Sequence, residues 1–225
     1  MGYGPFFLDH IIALKRRGLL DGCRRVVEIG RQQINDPLIA SPALDEAVAL
    51  FGGTRPELTP VGAPRITPDS PPGGLLWSAF GMQSKSVDLD GGDIRIDLNK
   101  GRVPWRYRGA FDLAINAGTT EHVANQGNAF AAIHDLMRAG GLMVHQLPLS
   151  GRLSHGFFGY QPKFFHRLAK ANDYEVAQLT LLPQAQIDVP EEFRGDGLPS
   201  TILAATLLVV MRRKDRRKFV MPADA

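Results

Sequence analysis

Residues 111–148 read FDLAINAGTTEHVANQGNAFAAIHDLMRAGGLMVHQLP, and this stretch decides the fold. FDLAIN is a short apolar run that stops at small and polar residues, which is typical of a buried parallel strand. Residues 126–138 repeat apolar side chains at helical spacing, and residues 139–141 (AGG) are expected to end that helix, because glycine adopts the left-handed cap conformation without strain. LMVHQL, residues 142–147, is the next apolar strand.

Two apolar strands joined by a helix predict a right-handed crossover in a parallel sheet. Ligands of such sheets bind beyond the carboxyl ends of the strands. Residues 116–122 and 145–149 stand at those ends, so we expect the functional site there.

The rest of the chain adds strand and helix patterns around this unit. Strands are predicted at residues 24–30, 85–92, 93–99, 174–182 and 202–211. Helices are predicted at residues 6–20, 41–51, 75–82 and 161–172. Together they predict an α/β fold with a doubly wound, mostly parallel sheet of about seven strands and a reversed edge strand.

The chain has 225 residues, of which 44% are hydrophobic and 22% charged, and this composition suits one domain with a sizeable core. We expect that domain at residues 1–211, with a proline-rich insertion at about residues 53–75 and a solvated basic tail at residues 212–225. The net charge is +3, but residues 212–218 alone carry six basic residues and one acid. The remainder is therefore slightly acidic, which argues against nucleic acid as a partner.

The single cysteine, Cys23, cannot form an internal disulfide, which favours a reducing compartment. No apolar run reaches the roughly 20 residues that a membrane-spanning helix needs. The first residues also lack the order of a signal peptide. We therefore expect a cytoplasmic protein without a membrane span.

Polar residues stand at the ends of four successive predicted strands. Glu28 ends the first, Asp88 the second, Asp97 the third and Asn116 the fourth. A carboxylate at the end of the second strand suits a ribose, because it can accept hydrogen bonds from both vicinal hydroxyls.

The chain resembles the class I S-adenosylmethionine-dependent methyltransferases, in particular the small-molecule type, in the ordered motifs VVEIG, SVDLD, DLN, FDLAIN, TEHV and AGGLMVHQLP. The resemblance covers roughly residues 24–182. It implies a Rossmann-like fold, S-adenosyl-L-methionine as cofactor, and methyl transfer to a small-molecule or sugar acceptor. The reaction would be a direct displacement on the sulfonium methyl, which needs alignment and exclusion of water more than acid–base help.

The resemblance also implies roles for individual residues. Asp88 would hold the ribose hydroxyls, with Asp90 as a competing choice, and Asp97 would bond the adenine amino group. Gly30 would pack against the methionine part of the cofactor. The full implied cofactor-binding set is Glu28, Gly30, Asp88, Asp97, Leu98, Asn116 and Gly118.

Two departures from the family pattern keep an alternative open. The family usually has E/D-x-G-x-G-x-G, whereas residues 28–33 here read EIGRQQ and lack the later glycines. The proline-rich insertion also separates Gly30 from Asp88 by far more than the roughly 20 residues of a dinucleotide fold. The alternative is a non-catalytic protein that keeps the fold and has lost the cofactor. A nicotinamide oxidoreductase is disfavoured, because no Gly-x-Gly-x-x-Gly follows the first strand.

Three of the six histidines, His122, His145 and His155, are predicted to converge near the ends of the fourth and fifth strands. His122 and His145 are candidate general bases, since imidazole titrates near neutrality. Glu121, His155 and Tyr160 are candidate substrate-binding residues, and a purely structural role for the histidines is the alternative. No metal site is predicted, because no Cys or His pairs stand at zinc spacing.

Overall fold

The computed structural model describes residues 2–63, 65–189 and 201–223. In these ranges the strands are β1 (Gly2–Tyr3), β2 (Arg25–Ile29), β3 (Gln33–Ile34), β4 (Gln83–Asp88), β5 (Ile94–Arg95), β6 (Phe111–Ala117), β7 (Met137–Ser150), β8 (Tyr174–Asp188) and β9 (Thr201–Arg213). The α-helices there are α1 (Pro5–Arg16), α2 (Asp36–Ile39), α3 (Pro42–Phe51), α4 (Gly74–Ala79), α5 (Gln126–Leu136) and α6 (Pro162–Asn172).

Seven of these strands form one sheet in the order β5-β4-β2-β6-β7-β9-β8. The first five run parallel to one another. β9 runs antiparallel to both of its neighbours and forms the antiparallel edge pair with β8. The predicted mostly parallel sheet of about seven strands is therefore confirmed, with the reversed strand one place in from the edge.

The sheet is covered on both faces, as a doubly wound fold requires. Val26 of β2 faces the core beneath α1, α3 and α4. Its neighbour Val27 faces the core beneath α5 and α6. None of the helices in the described part of the chain is long and apolar enough to cross a membrane.

The central strand β6 is buried along its whole length, including an acid. The carboxylate of Asp112 accepts hydrogen bonds from the backbone amides of Arg24 and Arg25 and from the side chain of Arg138. These charge-assisted bonds offset the cost of burying the acid and tie the start of β6 to both neighbouring strands.

The expected end of the central helix is wrong by two residues. α5 ends at Leu136, and the glycines lie in an irregular first part of β7, where Gly140 has a φ of 79°. The Arg213 guanidinium donates to the carbonyls of His134 at 2.7 Å and Met137 at 2.8 Å. A side chain distant in sequence therefore satisfies carbonyls at this helix end, in the place of a glycine cap.

The third predicted strand, residues 93–99, is reduced to β5, which has two residues. Asp97 interrupts it, because its side chain accepts a hydrogen bond from the amide of Asn99 and its carbonyl accepts from Gly101. This local turn competes with continued strand pairing.

The described part of the predicted basic tail keeps the side chains of Arg216, Arg217 and Lys218 exposed, while its backbone is hydrogen bonded to the domain. The Arg217 carbonyl bonds to the His134 ring at 2.8 Å. Asn172, at the end of α6, pairs with both the amide and the carbonyl of Val220. The domain boundary at residue 211 stays a prediction, and β9 continues to Arg213.

Candidate functional site

A cleft of about 290 Å³ opens at the carboxyl ends of β2 and β4, beside the turn that follows β6. Five of the residues predicted from the sequence line it: Gly30, Asp88, Asp97, Leu98 and His122. They come from segments far apart in the chain, and the parallel sheet brings them together at one edge.

Asp88 is held at the end of β4 with its carboxylate at the cleft. Its Oδ2 accepts from the Arg31 amide at 2.9 Å, and its Oδ1 accepts from the Asp90 amide at 3.3 Å. Asp90 itself is exposed, and its carboxylate lies 3.7 Å from Arg95. Of the two acids named for the ribose, Asp88 therefore lines the cleft.

Asp97 and Leu98 form the opposite wall of the cleft. Asp97 is half-buried, with Oδ1 bound to the Asn99 amide at 2.9 Å and Oδ2 at 3.7 Å from the Lys100 ammonium. The Leu98 side chain is buried, and its carbonyl accepts from the Asn128 side chain at 2.9 Å. This wall is thus anchored to α5.

Gly30 packs against the turn that follows β6. It has a φ of 79°, and a Cβ at this position would lie 2.5 Å from Thr119 Oγ1. The Thr119 hydroxyl donates to the carbonyl of Ile29. Both the backbone conformation and the close approach therefore require glycine.

The segment that lacks the later glycines turns inward. Gln32 is buried and donates from its amide to the Ile29 carbonyl at 2.9 Å and to Thr119 Oγ1 at 3.2 Å. Gln33 belongs to β3, which pairs with the N-terminal strand β1. Sequence reasoning missed that Gln32 links the end of β2 to the turn after β6, because a single buried side chain that bonds to a turn leaves no periodic pattern in the sequence.

Glu28 lies on the other face of the sheet from the cleft. Its Oε1 accepts hydrogen bonds from Tyr3 at 2.7 Å and Trp77 at 3.0 Å. Burial raises the pKa of Glu28 to about 7, although both hydrogen bonds oppose that rise. The prediction that Glu28 lines the cofactor site is corrected by this geometry, because the side chain points into the core beneath α4.

Asn116 and His145 form a buried pair, and neither lines the cleft. The Asn116 amide nitrogen lies 2.9 Å from Thr120 Oγ1 and 3.1 Å from His145 Nδ1. His145 is 1% exposed, between the rings of Phe130 and Phe165. Burial lowers its pKa to about 3. Neither side chain is accessible in this arrangement, and the roles expected for His145 as a general base and for Asn116 at the cofactor site stay predictions.

Tyr160 is likewise turned inward. Its hydroxyl lies 2.7 Å from Gln126 Oε1 and 2.9 Å from Thr120 Oγ1. Burial raises the pKa of Tyr160. These partners occupy the hydroxyl and the side chain is covered, so a contact of Tyr160 with substrate stays a prediction.

A second pocket of about 260 Å³ lies on the other side of this turn, at the end of β7. Three predicted residues line it, namely Gly118, Glu121 and His155. Gln146 and Arg152 also line it. Arg152 was missed by sequence reasoning, since an isolated arginine in a loop carries no motif.

Glu121 and His122 therefore belong to different pockets although they are adjacent in the 3-10 turn Thr120–His122. His122 faces the first cleft, and its ring centroid lies 4.6 Å from that of His155. Glu121 is buried, and this burial raises its pKa to about 7. The turn after β6 is thus a partition between two open spaces.

No protein-family model matches the chain, and a search of curated proteins finds no match. Among solved structures, a candidate methyltransferase from Bacillus halodurans aligns with a TM-score of 0.53 at 11% identity, covering 90% of this chain and 98% of that one. TehB from Haemophilus influenzae aligns with a TM-score of 0.52 at 10% identity, covering 92% of this chain and 62% of that one. At these identities the likeness shows the fold, which is that of class I S-adenosylmethionine-dependent methyltransferases.

Proposed function

We propose that the protein transfers a methyl group from S-adenosylmethionine to a small-molecule acceptor. The observation that carries the proposal is the position of Asp88, whose carboxylate is oriented by backbone amides at the end of β4, in the cleft. In a parallel sheet this is where a ribose meets an acid.

The residues of the first cleft fit the adenosine half of the cofactor. Asp88 would accept from the ribose hydroxyls, and Asp97 with the Leu98 backbone would meet the adenine. The cleft volume of about 290 Å³ lies just below the range for small-ligand sites, which is roughly 300–1,000 Å³. Its size thus suits a nucleoside with part of the ligand extending beyond it.

One buried oxygen favours a hydrogen-bond donor beside the partition. Gln32 Oε1 belongs to a side chain that is hydrogen bonded to Thr119, and it has no hydrogen-bond partner among the described residues. A buried acceptor without a donor costs about 1–3 kcal/mol. The ammonium group of the cofactor's methionine moiety is a donor of the right kind.

When bound, S-adenosylmethionine supplies an electrophilic methyl group on a sulfonium sulfur. The chain's own contribution is to align the two partners and to exclude water from between them. Gly118 lines the second pocket and Thr119 lines the cleft, so the turn after β6 separates the cofactor space from the acceptor space.

A non-catalytic protein of the same fold is the second candidate. Gln32 and Thr119 are hydrogen bonded over the end of β2, where the family's glycines would leave the backbone open. These side chains favour a narrowed cofactor site.

Calorimetric titration with S-adenosylmethionine, S-adenosylhomocysteine and NADH separates the candidates. We expect micromolar binding of both sulfur ligands, which corresponds to about −8 kcal/mol, and no heat with NADH. Absence of binding by either sulfur ligand would favour the non-catalytic candidate, and binding of NADH alone would contradict both.

A further inference from the structure

Three side chains with metal-binding atoms meet between the two pockets. The ligand-capable atoms of Glu121, His122 and His155 all lie within 4.8 Å of one another. Donor atoms that share one tetrahedral zinc ion at bonds of about 2.1 Å lie about 3.4 Å from one another. A closure of up to about 1.4 Å between these atoms, through movement of the two exposed imidazole rings, would therefore place all three donors on one ion.

Glu121 gives independent evidence that this cluster faces a ligand. The residue is 2% exposed, and its Oε2 has no hydrogen-bond partner among the described residues. A buried polar atom without a partner has lost its hydrogen bonds to water with nothing in exchange, and the penalty is larger for a charged group. A cation between the carboxylate and the imidazoles would remove that cost.

The backbone holds His155 beside Glu121. The next residue, Gly156, has a φ of 75°, and a Cβ there would lie 2.9 Å from the Glu121 side chain. The Phe157 amide donates to the Glu121 carbonyl at 2.7 Å. The loop after β7 is therefore docked on the turn that carries the other two donors.

We propose that Glu121, His122 and His155 bind one divalent first-row transition ion, with zinc as the best match. Two imidazoles and one carboxylate form a donor set of catalytic zinc sites, which keep a further position open. Imidazole donors disfavour Mg²⁺ and Ca²⁺, which prefer oxygen ligands. Local sequence spacing does not reveal this site, because His155 comes from a separate loop that the fold brings to the turn.

The position of the ion between the two pockets indicates the chemical class of the acceptor. This inference about the acceptor rests on the proposed methyl transfer. His122 lines the cofactor cleft, whereas Glu121 and His155 line the second pocket. An acceptor hydroxyl bound to the ion would lose its proton more readily. The O–H bond breaks and the proton leaves to solvent, a C–O bond forms, and the C–S bond of the sulfonium breaks to leave a thioether. The acceptor class is thus an alcohol or a phenol.

Zinc titration of the chelator-treated full chain, without S-adenosylmethionine, tests the site. We expect one equivalent of Zn²⁺ to bind, with no measurable binding of Mg²⁺. His155→Ala and Glu121→Gln should each weaken zinc binding at least about 100-fold, since even outer-shell changes cost 10–100-fold. His166→Ala is the matched control, because His166 is exposed on α6 and lies outside the cluster.

Cobalt substitution of the wild-type chain gives a second readout that needs no variant. A visible d–d band of a low-coordinate Co²⁺ site, lost on addition of Zn²⁺, would support the proposal. Absence of stoichiometric zinc binding, or equal zinc affinity in His155→Ala and His166→Ala, would overturn it. A parallel S-adenosylmethionine titration without zinc reports on the cofactor alone, so failure of the metal site and failure of methyl transfer are distinguishable.

Discussion

At the scale of single residues, Glu28 is a buried acid whose protonation is coupled to folding. Its ordinary pKa is 4.5, and burial raises the folded-state pKa to about 7, with a smaller contribution from Asp93. Between these values the folded chain keeps a proton that the unfolded chain has lost. The contribution of Glu28 to stability is therefore greatest below pH 4.5 and falls as the pH rises towards 7, by about 3 kcal/mol in total.

Glu28→Gln should remove this pH dependence, because glutamine stays neutral and still accepts hydrogen bonds from Tyr3 and Trp77. The free energy of unfolding of the variant minus that of the wild type should be about 2–3 kcal/mol larger at pH 8 than at pH 5. Urea unfolding of both proteins at the two pH values measures this difference. If the difference in free energy of unfolding between variant and wild type is the same at pH 5 and pH 8, Glu28 is already ionised at pH 5 in the folded chain.

Gly30 has both a left-handed backbone conformation and no room for a Cβ, and comparison with Gly52, which has only the first property, separates the two effects. Gly52, after α3, has a φ of 68° and open space where a Cβ would lie, whereas a Cβ at Gly30 would meet Thr119 at 2.5 Å. Gly52→Ala should cost only the left-handed strain of about 1–2 kcal/mol. Gly30→Ala should cost about 1–3 kcal/mol more, from overpacking. Chemical denaturation measures the free energy of unfolding of both variants. Equal losses would mean that the turn after β6 moves aside to accommodate the added Cβ at no cost.

At the scale of elements, the end of α5 depends on β9. Arg213 donates to the carbonyls of His134 and Met137 and also to that of Arg217. Arg213→Ala would remove the side-chain donor from these carbonyls, although the Met137 amide still donates to the His134 carbonyl, so we expect a loss of about 1–3 kcal/mol in free energy of unfolding.

Arg216→Ala is the control for that substitution, because Arg216 is a nearby exposed arginine. Its effect should stay within about 0.5 kcal/mol. Urea unfolding compares the two variants. Similar small losses for both would show that the C-terminal segment does not cap the helix.

Elements with strong local signals were predictable from the sequence. Ser41 and Pro42 begin α3 and Gly52 ends it, as capping chemistry requires. Elements that end where side chains from distant parts of the chain bind them were not predictable from the sequence. Arg213 at the end of α5 and the Asp97 turn at the end of β5 both illustrate contacts that local periodicity does not encode.

At the scale of the whole molecule, the sheet's parallel strands explain which site residues could be predicted. Gly30, Asp88 and Asp97 lie at one edge, because the carboxyl ends of parallel strands meet there. Asn116 also lies near the end of a strand, β6, and His145 pairs beside it within β7, yet both are buried beneath covering helices. Residue type and strand position do not distinguish these cases, because the depth of burial depends on how far α5 and α6 cover the strand ends.

The most direct test of the cofactor site compares Asp88→Ala with Asp90→Ala in calorimetric titrations with S-adenosylmethionine. Asp88 lines the cleft, whereas Asp90 is its exposed neighbour. We expect Asp88→Ala to lose about 1–3 kcal/mol of binding free energy, roughly 5- to 150-fold in Kd, and Asp90→Ala to bind as the wild type does. Unchanged affinity in Asp88→Ala, with circular dichroism showing both variants folded, would contradict the assignment of the cleft to the cofactor's ribose.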